Sequence, residues 1–104
     1  MQARFIHDGK SVDFFPTSDI PAGTVVILGS LVGITKLDVK SNTLGAVAVG
    51  GVYDVEKTNV AVPLGSKVYW DDTVKKANLT ATTLLGVAVL EAAAEDETVR
   101  IRLG

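Results

Sequence analysis

Apolar runs in this chain are short, valine-rich and broken every few residues by Gly, Thr or Asp, and this punctuation constrains the fold more than any other feature. β-branched residues suit the pleated surface of a strand, and closely spaced turn formers keep strands short. A helix would need an apolar stripe of helical period held over about ten residues. Only Glu91 to Glu97 has helical composition, and it is too short to stand without packing. A turn or a single helical turn is expected there. The fold class is therefore all-β, a small β-barrel or β-sandwich with little or no helix.

Individual strands follow from the pattern. Gln2 to His7 reads as a strand, and the Asp8-Gly9 pair before Val12-Asp13-Phe14-Phe15 is a hairpin signal. Pro16 to Gly23 is a loop. Thr24 to Leu28 and Leu31 to Thr35 are apolar on both faces, as central strands are. Leu44 to Val49 and Val52 to Lys57 are joined at Gly50-Gly51. Lys67 to Trp70 is followed by a turn at Asp71-Asp72, then by Val74 to Ala77 and a bend at Asn78. Leu84 to Leu90 reads as a core strand. In the last strand Val99, Ile101 and Leu103 alternate with Arg100 and Arg102, an apolar face against a charged one.

The sequence also repeats itself. Ile20-Pro21-Ala22-Gly23-Thr24 parallels Val62-Pro63-Leu64-Gly65-Ser66, where Pro fixes φ and Gly accepts a positive φ before a strand. Leu31-Val32-Gly33-Ile34 parallels Leu84-Leu85-Gly86-Val87, and Val47-Ala48-Val49 parallels Val99-Arg100-Ile101. Three matches in one order point to a duplicated β unit whose second copy carries an inserted hairpin from Asp71 to about Thr82. Glycines inside the repeated strands imply bulges or close backbone approach.

With 104 residues the chain suits one domain spanning 1–104. There is no cysteine, which fits assembly in a reducing cytoplasm. No apolar run approaches the roughly 20 residues of a membrane span, and the N-terminus lacks the apolar stretch of a signal peptide. Ten basic and twelve acidic residues are scattered without a basic stripe, which argues against a nucleic-acid partner. Charged residues make up 21% and hydrophobic ones 47%. A small domain exposes much of its surface, so this apolar excess is accounted for by burial against other subunits.

Reactive side chains are few. His7 is the single histidine, so any Ser-His-Asp arrangement would depend on it, and its place beside a turn fits a surface histidine better. Asp71-Asp72 is the best carboxylate pair for an all-oxygen metal site, although a solvated turn explains it more simply. Glu95-Asp96-Glu97 reads as a soluble, edge-blunting loop. Gly9-Lys10-Ser11 matches the end of a phosphate-binding loop, but Arg4 stands where its first glycine belongs and a strand follows instead of a helix. No catalytic, cofactor-binding or metal residue is assigned, and no cofactor is expected.

The order His7-Asp8-Gly9, Pro21-Ala22-Gly23, Leu31-Val32-Gly33-Ile34, Gly51-Val52-Tyr53-Asp54-Val55-Glu56-Lys57, Gly65-Ser66-Lys67-Val68-Tyr69-Trp70-Asp71-Asp72, Leu85-Gly86-Val87-Ala88 and Thr98-Val99-Arg100-Ile101-Arg102-Leu103 resembles the bacteriophage capsid cement (head decoration) proteins, a family formerly labelled recombinase-like. The resemblance covers nearly the whole chain. It implies a non-enzymatic subunit on the outer surface of a phage head, bridging neighbouring major capsid proteins, and often a homotrimer. The missing phosphate-binding loop gives the recombinase label no support.

Candidate contact residues on this reading are the N-terminal arm Met1, Gln2, Ala3, Arg4 and Phe5, free to add a strand to a neighbour, together with Phe14, Phe15 and Ile20. Adjacent strand residues face opposite ways, so one of Phe14 and Phe15 is expected to be exposed. The rival reading is a soluble β-barrel module for a small ligand or glycan, with Tyr53, Trp70 and Asp72 as its polar and aromatic candidates.

Overall fold

A computed structural model describes residues 2–6 and 9–104. Among the described residues nine strands form two antiparallel sheets. In the first sheet, β1 (Ser11–Phe14), β4 (Gly45–Ala48), β3 (Leu31–Ile34) and β2 (Val25–Leu28) lie side by side in the order β1-β4-β3-β2. In the second, β5 (Gly51–Glu56), β9 (Thr98–Leu103), β8 (Thr83–Ala88), β6 (Lys67–Asp71) and β7 (Lys76–Asn78) lie in the order β5-β9-β8-β6-β7. No helix occurs among the described residues, so none is long and apolar enough to cross a membrane.

The two sheets repeat one topology, with β1, β2, β3 and β4 equivalent to β5, β6, β8 and β9 and with β7 as the insertion. Main-chain hydrogen bonds repeat with it. Ile20 exchanges two bonds with Val39, as Val62 does with Ala92. The Gly23 amide donates to Thr35 and the Gly65 amide to Ala88, each glycine at positive φ after its proline. Two of the three sequence matches are structurally equivalent. The third is displaced by two residues, because Ile34 pairs with Ala48 while Val87 pairs with Arg102. Val47-Ala48-Val49 therefore corresponds to Ile101-Arg102-Leu103. A two-residue shift leaves every side chain on its original face, so the inside-outside pattern cannot reveal it.

The core lies mainly within the second sheet, where Val55, Val68, Trp70, Ala77, Leu85, Val99, Ile101 and Leu103 are buried. Val32 and Ile34 of β3 complete it from the first sheet. β9 shows the expected alternation, with Val99, Ile101 and Leu103 inward and Arg100 and Arg102 outward. The second sheet curls until the end of β5 meets β7 at one parallel bridge, Lys57 to Ala77, without closing into a barrel. The arrangement is sandwich-like. At this junction Lys57 is buried, and its ammonium donates to the carbonyls of Val60 (2.8 Å), Thr58 (3.1 Å) and Ala94 (3.3 Å). Those bonds satisfy a charge that would otherwise be too expensive to bury.

Several expected elements differ. Residues 2–6 form no strand, and the first hairpin is absent because β1 takes its partner from β4 instead; His7 and Asp8, with the surface-histidine reading, lie outside the described residues. Of the two strands expected to be central, β3 is, but β2 is an edge strand, half-buried throughout. Asp71 ends β6, and the turn over 72–75 uses up Val74, so β7 starts at Lys76. Its cause is local: the Asp72 carboxylate accepts from Trp70 Nε1 and from Lys75 Nζ, folding the chain back. β8 stops at Ala88, short of Leu90. Glu91 to Glu97 does hold the expected turn, in its non-helical form: the Asp96 amide donates to the Ala93 carbonyl at 3.1 Å, the Asp96 carboxylate accepts the Ala93 amide, and Ala92 is pinned to Val62.

Candidate interaction surface

Of the proposed contact residues, Gln2, Ala3, Arg4 and Phe5 are all exposed, and Met1 lies outside the described residues. Phe5 and the neighbouring Ile6 are 78% and 72% exposed. An apolar pair left this open gains nothing from the subunit's own core and is available to a partner. Phe14 and Phe15 divide as strand geometry requires. Phe14 pairs with Gly45 and is half-buried, whereas Phe15, just past β1, is exposed.

Ile20 is half-buried and held to Val39 by two 2.8 Å main-chain bonds. Val39 in turn packs over Gly45, its methyls filling the space a Cβ there would need. Phe14 and Ile20 therefore flank one place, although they are separate in sequence. Beside it opens a groove of about 540 Å³ lined by Leu37, Val39, Lys40, Leu44, Gly45 and Ala46 among others. Leu37 and Leu44 are 77% and 68% exposed. The loops carrying them are fixed by side chains: Asp38 accepts the Ala22 amide at 2.7 Å, and Asp19 accepts the Ser41 amide at 2.8 Å. Sequence reasoning missed both leucines. For Leu37 the signal was an isolated apolar residue in a polar turn, Lys36-Leu37-Asp38, whereas Leu44 runs into the apolar stretch Gly45 to Val49 and carried no signal of its own.

The ligand-binding candidates are committed elsewhere. Trp70 is 6% exposed and donates to Asp72 Oδ1 at 3.1 Å. The Tyr53 hydroxyl donates to the Gly50 carbonyl at 3.0 Å. Tyr53 and Trp70 share an open trough, but Asp72 does not line it. Asp72 holds Lys75 at 2.8 Å, and that hydrogen bond, with the one from Trp70, keeps its carboxyl below the ordinary carboxylate value. Asp71 Oδ1 caps the turn by accepting the Thr73 amide. Asp54 accepts two bonds from the Arg100 guanidinium across β5 and β9, which lowers its pKa and raises that of Arg100. Lys10-Ser11 leads into β1, so the phosphate-loop-like segment opens a strand and offers no helix N-terminus.

These groups add up to a surface of exposed apolar side chains on a rigid β frame, with the polar groups bonded among themselves. A family model described as phage cement protein matches residues 6–103. No curated protein and no solved structure matches the chain.

Proposed function

Because the chain belongs to the phage cement protein family, whose role is structural, we propose that it binds the outer surface of a phage head and holds neighbouring major capsid proteins together. The match over residues 6–103 carries this reading, and the exposed apolar residues supply its physical mechanism. A subunit that buries Phe15, Leu37 and Leu44 against two capsid proteins at once must lose those contacts before they separate. A ligand that binds only the assembled lattice stabilises it by mass action, by about 2.7 kcal/mol at a free concentration one hundred times Kd.

The arm Met1 to Phe5 contacts the capsid beside Phe14, Phe15 and Ile20. Three copies acting as a homotrimer over a three-fold position multiply weak contacts into avidity. The location is the outside of the virion, reached after assembly in the host cytoplasm. The rival small-ligand reading draws no support from Tyr53, Trp70 and Asp72: the Tyr53 hydroxyl and Trp70 Nε1 are bonded within the chain, and Asp72 Oδ1 accepts from both Trp70 and Lys75.

Sedimentation tests the proposal. The protein alone should sediment as a discrete trimer and should pellet with purified heads that lack it, saturating at a fixed ratio. Deleting Met1 to Arg4 should weaken that binding while leaving the fold intact. A solitary subunit that stays in the supernatant with heads would defeat the reading.

A further inference from the structure

A trough of about 600 Å³ runs between the two sheets. On one side it touches Thr24 and Val25, where the chain enters β2, and on the other Tyr53, Asp54, Val55 and Glu56 of β5. Successive strand residues point to opposite faces, so a cavity that touches four in a row meets the strand's edge and its main chain. The sheet orders agree, because β2 ends the first sheet and β5 ends the second. Beyond Glu56 the edge is closed by the Lys57 to Ala77 bridge. Between Tyr53 and Glu56, β5 offers its unpaired side to this space.

We infer that this edge of β5 receives an extended segment of the partner, one that alternates basic and apolar residues and pairs with β5 as an added strand. The inference relies on the preceding reading only for the capsid origin of that segment. Side-chain chemistry selects the occupant. Asp54 and Glu56 share the exposed face of β5, while Val55 is buried and Tyr53 half-buried. Asp54 is already engaged by Arg100, and the Lys75 ammonium at the trough is engaged by Asp72. Glu56 makes no ion pair among the described residues, so its carboxylate is the trough's unbalanced charge. Two copies of β5 paired about Val55 would set Asp54 against Glu56, and like charges directly opposite are destabilising. The unpaired Glu56 carboxylate favours an Arg- or Lys-bearing strand instead.

The test uses the whole chain, labelled for NMR, with two synthetic probes: an end-capped hexapeptide alternating Arg and Val, and its counterpart alternating Glu and Val. The Arg peptide should shift the amides of residues 53–56 and slow the hydrogen exchange of those that face away from β9, and at low salt it should bind about fivefold tighter than the Glu peptide. Glu56→Lys, an exposed substitution, should reverse that preference. Shifts without exchange protection at 53–56, or equal affinity for both peptides, would overturn the inference. Neither result would touch the head-sedimentation experiment, so the two readings can fail separately.

Discussion

Gly86→Ala tests the packing logic of the fold. Gly86 sits in β8, paired with Leu103 of β9 on one side and with Val68 of β6 on the other, beside the register shift between Val68 and Tyr69. A Cβ at this position would clash with the Arg102 carbonyl oxygen and lie 2.9 Å from its carbon and 3.3 Å from the Leu103 Cα. These are backbone atoms, so no rotamer change relieves the clash; β8 and β9 must part. Overpacking of this kind costs about 1–3 kcal/mol, and each weakened ladder hydrogen bond adds about 1 kcal/mol. With one or two such bonds affected, the loss is about 2–5 kcal/mol. Native domains hold only about 5–15 kcal/mol in total, so the midpoint should fall by roughly 10 °C or more. Gly50→Ala is the control, since nothing lies within 4 Å of its added Cβ and its φ is not positive. It should be neutral or stabilising by up to about 1 kcal/mol. Urea unfolding followed by Trp70 fluorescence measures the free-energy change of both variants, and a thermal scan with the same probe measures the midpoint. An 86 variant within about 0.5 kcal/mol of the parent would refute the close-approach argument.

Three further outcomes are expected. Lys57→Met removes the side-chain donor to the Val60 and Ala94 carbonyls and should destabilise by about 2–4 kcal/mol in the same urea assay; an unchanged midpoint would mean that water replaces the ammonium. Asp54 and Asp72 have folded pKa values below their ordinary 3.8, so their ion pairs contribute above about pH 4 and fade as pH falls through the lowered values. Thermal midpoints of Asp54→Asn and Asp72→Asn should therefore converge on the parent's in that acid window, and a difference constant with pH would contradict this. Leu37→Ser with Leu44→Ser should leave the unfolding midpoint within about 1 kcal/mol, both side chains being exposed, yet weaken head binding several-fold; equal binding would remove the groove from the contact surface.

Much of the fold was legible because its signals are local. Period-two alternation marked β9, and the Pro-x-Gly turns at Gly23 and Gly65 marked the repeat that the two sheets share. What stayed hidden depends on neighbours distant in sequence. Thr24 to Leu28 and Leu31 to Thr35 are equally apolar, and only sheet order makes β2 an edge and β3 central. The Asp8-Gly9 pair suggested a hairpin, but β1 pairs with β4, which lies far along the chain. In the candidate surface, the exposure of Phe15 followed from the parity of adjacent strand residues. Leu37 was passed over because a single apolar residue in a loop seldom carries meaning alone, and Leu44 because it reads as the first residue of a strand; here the fold gathers them at one groove.

The claim that this chain works as a cement is tested most directly by heating purified heads that lack it, with and without added protein, and following disruption by light scattering. Saturating protein should raise the disruption temperature in step with its bound fraction, and heads carrying the Met1–Arg4 deletion variant should fall between. Heads that bind the full chain to saturation yet come apart at an unchanged temperature would contradict the account.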